Sequence, residues 1–268
     1  MFGRRPDGQL VRDASAMRRF MPFISPRRPD SCFYFGYEID AEPAFEFLAK
    51  ANAGRPQDQP ITFFHLMMRS LAWVLHDRPR LNRFVAGGRL WQRDGIWMSF
   101  SAKKAIDDES PVITVKQKMD PSGTTLVEMV DSIYEKLGYG RSGKKTTSDN
   151  EVDVLLRFPV PIVRLAMRFA DFADALGLLP RGMIDSDPLY ASAFIANLGS
   201  VGLEGGYHHL WQHGTCPIFC VIGRFTPDAN GRRRVSLKWT FDERIEDGLY
   251  AGRGLARVKE LLEHPEKI

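Results

Sequence analysis

The 268-residue sequence has few cysteines and no long apolar run. Its three cysteines, Cys32, Cys216 and Cys220, are too few and odd in number for a disulfide framework, so we predict a reducing, cytoplasmic environment. The longest uncharged apolar stretch, residues 216–223, is far below the ~20 residues that a helix needs to cross a bilayer. The arginine-rich first thirty residues lack an apolar segment of signal-peptide length, so we do not expect secretion.

Several common functional motifs are also absent. The sequence contains neither the glycine-rich loops that bind phosphates nor the Gly-x-Ser-x-Gly elbow of many hydrolases. No Cys/His set has the spacing of a zinc site, so we predict no metal. The net charge of +4 equals the surplus of the first thirty residues, which hold seven arginines and three aspartates. No nucleic-acid-binding motif follows these scattered arginines, so we expect no nucleic acid partner.

The periodicity of apolar residues predicts a mixed α/β protein. We predict a basic arm over residues 1–30 with a short helix near residues 14–21, and a single domain over residues 31–268. Alternating or aromatic-rich runs predict strands at 31–39, 112–118, 193–197, 217–225 and 234–241, a strand pair around Gly87-Gly88 and a hairpin at Asn230-Gly231. Helical spacing predicts helices at 43–53, 62–77, from Thr125 onward and at 249–263. This order of elements indicates α/β or α+β with a mixed sheet.

Residues 151–179 are unlike the rest of the chain. They are very apolar, they carry Arg157, Arg164 and Arg168, and they are interrupted by two prolines around residue 160. We predict one or two amphipathic helices here, inserted into the domain.

Two short stretches stand out as candidate sites. Residues 239–250 place five charges between an aromatic strand and a helix, although Asp247 in this position also fits a plain helix N-cap. Residues 197–213 join a glycine-rich turn to three histidines, His208, His209 and His213. Such a cluster is more often packing than chemistry, but a glycine turn that brings backbone close to a ligand makes it a candidate. His65 and His76 lie on the long helix, where we assign them structural roles.

These stretches, in this order, resemble the catalytic core of the acyltransferase subunit of 2-oxo acid dehydrogenase complexes, a relative of chloramphenicol acetyltransferase. Residues 193–199 (AFIANLG) resemble the family's TISNLG strand, and residues 216–224 (CPIFCVIGR) resemble its AILGVGR strand. Residues 241–248 (FDERIEDG) resemble DHRxxDG, and residues 255–265 resemble the closing helix. Leu81 and Asn82 resemble the LN turn that follows the family's long helix.

The resemblance implies a two-layer sandwich of mixed sheet and helices, assembled as a homotrimer with its active site at the subunit interface. Coenzyme A or acyl-CoA would be a cosubstrate and not a permanently bound cofactor. The resemblance places cosubstrate binding at Asn197, Gly199, Ser200 and Gly248, and catalytic roles at the DHRxxDG motif. The family's aspartate falls on Asp247, and its arginine partner in the arm would be Arg18 or Arg19.

Two departures affect the chemistry. The family's catalytic histidine falls on Glu243, and the hydroxyl that stabilises the oxyanion falls on Ala196. A carboxylate with the reference pKa of about 4.3 is a poor base for a thiol or alcohol near neutral pH. Either Glu243 acts as the base in a desolvated channel with the carboxylate of Glu246 or Asp247 beside it, or His208 or His209 replaces the missing histidine.

We therefore carry two functional hypotheses. The first is a CoA-dependent acyltransferase that moves an acyl group between a pantetheine thioester and a thiol, hydroxyl or amine. The second is a non-catalytic trimeric scaffold or partner-binding pseudoenzyme of a 2-oxo acid dehydrogenase-type system. The sequence contains no lipoyl domain, so an acyl-carrier or lipoyl-bearing protein is an expected partner in either case. The insert at 151–179 could pack on the trimer, which we favour, or cover the channel, hold a long acyl chain or contact a membrane surface.

Overall fold

The computed structural model describes residues 4–103, 112–141 and 153–268. The helices are α1 Ala16–Ile24, α2 Glu42–Ala51, α3 Phe63–Asp77, α4 Leu126–Arg141, α5 Val160–Ala175, α6 Arg181–Ser186 and α7 Gly248–Glu263. The strands are β1 Arg4–Arg5, β2 Gly8–Leu10, β3 Cys32–Asp40, β4 Arg83–Ala86, β5 Arg89–Arg93, β6 Ile96–Lys103, β7 Val112–Met119, β8 Ala193–Asn197, β9 Ile218–Pro227 and β10 Arg233–Asp242. These bounds confirm the predicted strands and helices to within a few residues.

A six-stranded mixed sheet forms the centre of the fold, with the order β3-β10-β9-β8-β6-β7. The strand β8 runs parallel to both β9 and β6, whereas the remaining pairs are antiparallel. Parallel neighbours need a crossover connection, and the long stretch between β7 and β8 supplies one through α4 and α5. The predicted mixed sheet is confirmed.

Helices cover one face of this sheet and bury its apolar side chains. The long helix α3 is buried along most of its length, and Thr62 begins it as the N-cap with His65 in a capping box. Helix α7 turns Leu255, Val258 and Leu262 toward the same core, which also contains Trp239 of β10. Each such side chain, fully removed from water, contributes about 1.5–3 kcal/mol before entropy is counted. The result is the predicted two-layer arrangement.

The opposite face of the sheet is covered by an irregular segment, residues 207–216. Leu210 and Cys216 of this segment form a small core with Phe194 of β8 and Phe219 of β9. The ring of Trp211 lies edge-on to Phe194, with the ring centroids 5.0 Å apart.

The arm differs from its predicted form, because residues 4–5 and 8–10 form two strands. A second sheet has the order β1-β2-β5-β4, so β1 and β2 extend the β4–β5 hairpin. Neither strand has an apolar alternation that could indicate it, and buried ion pairs hold them instead. Arg5 contacts Asp7 at 2.9 Å, and Arg93 of β5 contacts the same carboxylate at 3.7 Å.

The same ion-pair network anchors helix α5 to the protein. Arg5 donates to the Asp174 carboxylate at 2.7 Å and to its backbone carbonyl at 2.5 Å. One turn before Asp174, Asp171 contacts His213 at 2.8 Å. The helix begins directly after Pro159, as the predicted break at the two prolines implied.

We expect the anchoring by His213 to weaken as the pH rises. The carboxylates of Asp187 and Asp171 raise the pKa of His213 to about 9, above its ordinary value of 6.5. Protonated His213 stabilises the fold through these carboxylates. The stabilisation is fully present below pH 6.5, the ordinary pKa, and is lost as the pH rises through about 9. The difference in unfolding free energy between the wild type and His213→Gln should therefore fall by about 1–3 kcal/mol between about pH 6 and about pH 10. Urea titration of both proteins at each pH measures it, and a difference that is independent of pH would contradict the assignment.

Candidate active site

Glu243 lies in the turn that joins β10 to α7, here called the Glu243 turn (residues 242–248). Its backbone N–H donates to the carbonyl of Ser31 at 3.0 Å. Its own carbonyl accepts a hydrogen bond from the Arg18 guanidinium of α1 at 2.5 Å. The Glu243 carboxylate is exposed, so the backbone is held firmly while the side chain is free to meet a ligand.

A buried ion pair fixes the first part of this turn. Asp242 is fully buried and receives two hydrogen bonds of 2.8 Å from Arg244. Arg28 of the arm adds a third charge contact at 3.5 Å, and its own pKa is lowered because burial removes it from water. Arg244 also donates to the carbonyl of Pro26 at 3.0 Å. Buried ion pairs and hydrogen bonds therefore hold the arm against the Glu243 turn.

Glu246, considered from the sequence only as a possible neighbour of Glu243, is the centre of a second charge cluster. Its nearly buried carboxylate lies 3.3 Å from Arg80, 3.4 Å from Arg83 and 4.0 Å from Arg18. These side chains line a cavity of about 310 Å³ together with Asp13 and Asp247. The ion pair of Arg18 is thus with Glu246, whereas Arg19 is exposed on α1.

Asp247 is the N-cap of helix α7. Its carboxylate accepts a hydrogen bond from the backbone N–H of Tyr250 at 2.8 Å. That hydrogen bond lowers the pKa of Asp247, and the charge of Arg18 lowers it further. Gly248 follows as the first residue of the helix. The structural alternative weighed for Asp247, a plain N-cap, is confirmed, and a further role in binding or catalysis stays a prediction.

The predicted cosubstrate residues Asn197, Gly199 and Ser200 form a tight turn after β8. The Asn197 side chain accepts from the backbone N–H of Ser200 at 3.2 Å, and the Ser200 hydroxyl donates back to the Asn197 carbonyl at 2.7 Å. A side chain at Gly199 would come within 2.3 Å of the Gly223 carbonyl, so only glycine fits against β9 here. Ala196, directly before this turn, presents a methyl group where the family has its hydroxyl.

Asn197 also lines a cleft of about 710 Å³, here called the Asn197 cleft. The aromatic rings of Phe45, Phe63 and Phe225 form its apolar wall, with Phe225 edge-on to both of the others at centroid distances of 5.0 and 5.3 Å. At the rim, Arg233 pairs with Glu42 at 3.3 Å. An apolar cleft with a few polar groups at its mouth is typical of a binding site for a small molecule.

The two predicted histidines pack flat on the sheet. The His208 ring stacks on Phe219 at a centroid distance of 4.2 Å and on His209 at 4.5 Å. Its backbone carbonyl accepts from the Thr240 hydroxyl at 2.5 Å. Burial among these rings lowers the pKa of His208, which keeps the imidazole neutral near neutral pH. His209 is exposed beside it.

The predicted residues fall into two groups at different places along the sheet. In the strand register Asn197 is level with Ile222, which is level with Leu237 of β10. Glu243 lies beyond the end of β10, so the two groups are at least about 17 Å apart along the strands and are also separated across two strand spacings. His208 lies between them, level with Thr240. One chain alone does not bring Glu243 to the Asn197 cleft.

Sequence reasoning missed the buried partners of these residues. The sequence shows the five charged residues of 242–247. It does not show that Asp242 and Glu246 are buried in the protein while Glu243 is exposed to solvent. The only signal was Asp242 at the end of an otherwise apolar strand, with Arg244 two residues later. The Asn197 cleft had no sequence signal, because its three phenylalanines come from α2, α3 and β9.

Comparisons with known proteins identify the fold. No family profile and no curated protein sequence matches the chain. A probable dihydrolipoamide acetyltransferase from Listeria monocytogenes superposes with a TM-score of 0.60 at 17% identity, covering 95% of this chain and 94% of that one. The truncated catalytic core of a Thermoplasma acidophilum 2-oxoacid dehydrogenase complex gives 0.59 at 17% identity, covering 95% and 98%. A chloramphenicol acetyltransferase gives 0.53 at 14% identity, covering 95% and 99%.

These similarities confirm the predicted fold over nearly the whole chain. The protein has the two-layer, mixed-sheet fold of CoA-dependent acyltransferases such as chloramphenicol acetyltransferase and the 2-oxo acid dehydrogenase catalytic cores. At this identity the comparison establishes the fold only. The roles of individual residues are therefore argued from their contacts and the chemistry of their side chains.

Proposed function

We propose that this protein transfers an acyl group between a coenzyme A-type pantetheine thioester and a small acceptor. The observation that supports this best is the Asn197 cleft, an apolar channel beside the turn that the family resemblance assigns to the cosubstrate. The acceptor is a thiol, a hydroxyl or an amine. An acyl-carrier or lipoyl-bearing protein supplies or removes the acyl group where free coenzyme A does not.

We propose that the working site is formed by two copies of the chain in a homotrimer. Glu243 and the Asn197 cleft are too far apart to act on one substrate within a single chain. A closed ring of subunits places the Glu243 turn of one copy against the cleft of the next. One solved structure with the same fold, at 14% identity and a TM-score of 0.60, is described as the cubic core of a pyruvate dehydrogenase complex, which supports assembly of this fold into oligomers.

In this proposal the Glu243 carboxylate accepts the proton of the acceptor as the acceptor attacks the thioester carbonyl. A tetrahedral intermediate forms and collapses, the C–S bond breaks, and the departing thiolate takes the proton back from Glu243. Arg18 fixes the backbone of Glu243 in both states through its bond to the carbonyl. Asp247 serves the same purpose by capping the helix that follows.

A second candidate function is a non-catalytic scaffold that binds coenzyme A, an acyl carrier or a protein partner. It is favoured by Glu243 and Ala196, which stand where the family resemblance places a histidine and a hydroxyl. A general base is worth about 10²–10⁴ in rate and an oxyanion donor about 10²–10³. Both departures would therefore lower the rate of acyl transfer, whereas neither is expected to weaken the binding of coenzyme A. In either case we propose a cytoplasmic location, because Cys32, Cys216 and Cys220 are all free thiols.

Calorimetric titration with coenzyme A and acetyl-CoA tests donor binding before any acceptor is known. We expect saturable binding that weakens at least ~10-fold in Ala49→Trp, which fills the cleft from an exposed position on α2. Ala53→Trp is the matched control, because it makes the same substitution at an exposed alanine four residues along, outside the cleft lining. If the wild type gives no heat and no thermal stabilisation, the cleft does not bind a donor and both CoA-based functions are excluded. Equal affinities of the two variants would move the donor site away from the cleft.

A further inference from the structure

Helix α5 turns its apolar face away from the protein. Ile162, Leu165, Phe169, Phe172 and Leu176 recur at the spacing of one helix face, and they are 48%, 69%, 70%, 61% and 48% exposed. An amphipathic helix of a globular protein normally buries such a stripe. Here the stripe is the outermost part of the helix.

The polar side of the same helix is the side that holds it to the body. Asp174 is buried and bonded to Arg5, and Asp171 contacts His213. Ala173 packs against a small cluster that contains Leu179 and Tyr190. Asp174 is therefore neutralised by Arg5 inside the protein, and Asp171, whose side chain is 54% exposed, is paired with His213.

Unpaired arginines border the apolar stripe. Arg164 and Arg168 are exposed on α5, one turn apart, and Arg157 is exposed just before the helix. Within the described residues none of the three has a carboxylate within 4.0 Å. The outer surface of this segment is thus apolar in the middle and positively charged along one border.

A second apolar surface lies next to it, on helix α1. Met17, Phe20, Phe23 and Ile24 are 55–65% exposed. Both helices end at the same turn between β4 and β5: a side chain at Gly87 would touch the carbonyl of Ala175, and one at Gly88 would meet the ring of Phe23. The ends of the two helices are therefore neighbours.

We propose that α5, together with the adjacent end of α1, binds the surface of an anionic lipid membrane. Apolar side chains that face outward beside unpaired arginines are the pattern of a helix that lies in the interfacial plane of a bilayer. The apolar stripe would enter the acyl-chain boundary and the arginines would meet lipid phosphates. No helix within the described residues is long and apolar enough to cross a membrane, so the helix lies on the surface and does not span it.

The charge of this face favours an anionic membrane over a second copy of the chain as its partner. A two-fold contact that packs two α5 helices antiparallel through this face would bring the arginine border of one copy close to that of the other. An anionic membrane instead supplies the missing negative charge. This proposal does not depend on acyl transfer, and it is tested without any acyl donor.

Sedimentation with lipid vesicles tests the proposal on the full chain. We expect binding to vesicles of phosphatidylcholine and phosphatidylglycerol at least ~10-fold tighter than to phosphatidylcholine alone, weakening as salt is added. Leu165→Glu combined with Phe169→Glu should lower binding at least ~100-fold, because both side chains are placed to enter the bilayer. Arg164→Gln combined with Arg168→Gln should lower it roughly 25-fold on anionic vesicles, at about fivefold per arginine, and have little effect on neutral ones.

The matched control is Val112→Glu with Val127→Glu, which changes the net charge equally at two exposed apolar positions outside these helices. This variant should bind more weakly than the wild type by the charge effect alone, and far less weakly than the α5 double variant. Circular dichroism checks that each variant folds, which the exposure of all four side chains leads us to expect. Equal binding of the two glutamate variants, or no vesicle binding by the wild type, overturns the proposal. If the α5 variant also lowers the oligomeric mass, the face is an interface between copies.

Discussion

Replacing Glu243 with glutamine should lower the rate of acyl transfer by about 10²–10⁴ and leave the affinity for coenzyme A within about twofold. Glutamine has the size of glutamate and keeps its hydrogen-bonding oxygen, but it cannot accept the proton of the acceptor. The exposed position of the side chain means that the change costs the fold little. Initial rates and calorimetric titration on the same preparation separate the chemical step from binding.

The opposite change should increase the rate. Glu243→His replaces the carboxylate with an imidazole, whose reference pKa of about 6.5 is close to the pKa of about 8.5 of a typical thiol. We expect a gain of roughly 10- to 100-fold for a thiol acceptor. If Glu243→Gln keeps the full rate, Glu243 is not the base, and His208→Asn and His209→Asn become the decisive variants.

A mixed oligomer tests whether two copies build the site. Glu243→Gln and Ala49→Trp each damage one half of it, so each homo-oligomer should have little activity at a donor concentration well below the Kd of Ala49→Trp. Co-expressed at equal levels, they should restore about a quarter of the wild-type rate, because one in four interfaces then pairs an intact Glu243 turn with an intact cleft. No restoration in an assembly shown to contain both chains would place the whole site in a single chain.

Replacing Arg244 with methionine should destabilise the protein by about 3–5 kcal/mol. The change removes both 2.8 Å hydrogen bonds to Asp242, a carboxylate with no solvent exposure, and also the bond to the Pro26 carbonyl. Among the residues that the structure describes, Arg28, 3.5 Å from Asp242, then remains as its counter-charge. Urea unfolding at a fixed protein concentration measures the loss, since the proposed assembly would make the transition depend on concentration.

The control for this prediction is an arginine in an exposed ion pair. Arg257 pairs with Glu260 one turn along α7, and both side chains are more than 40% exposed. Arg257→Ala should therefore change the unfolding free energy by no more than about 0.5 kcal/mol. A loss below about 1 kcal/mol for Arg244→Met would mean that Arg28 alone compensates Asp242.

Local signals in the sequence were enough to predict the elements. Helix α3 was predicted from Thr62 and an apolar stripe, and it begins directly after Thr62. Helix α4 was predicted from Thr125 and Glu128, which exchange the two hydrogen bonds of a capping box at 2.8 and 3.2 Å. Such caps act over four residues, so the sequence alone reveals them.

Features that depend on distant partners could not be predicted in this way. The strands β1 and β2 are held by Asp174, which is about 170 residues away, so nothing within the arm marks them as strands. The separation of Glu243 from Asn197 follows from strand order and register, which no spacing along the chain reveals. The outward direction of the α5 stripe required knowing that Arg5 takes the carboxylate on its other side.

The order of strands in the central sheet has a consequence for how the chain is made. Strand β3, rich in aromatic residues, has β10 as its one neighbour in the described part of the chain, and Phe33 is opposite Phe241 some 200 residues later. At about 5–20 residues per second, a ribosome takes roughly 10–40 seconds to deliver this partner after β3 has emerged. During that time an apolar strand with open hydrogen-bonding edges is available to other nascent chains. Prematurely terminated chains that lack β10 should therefore aggregate, and we expect production of the intact protein to depend on chaperones that occupy β3 until synthesis ends.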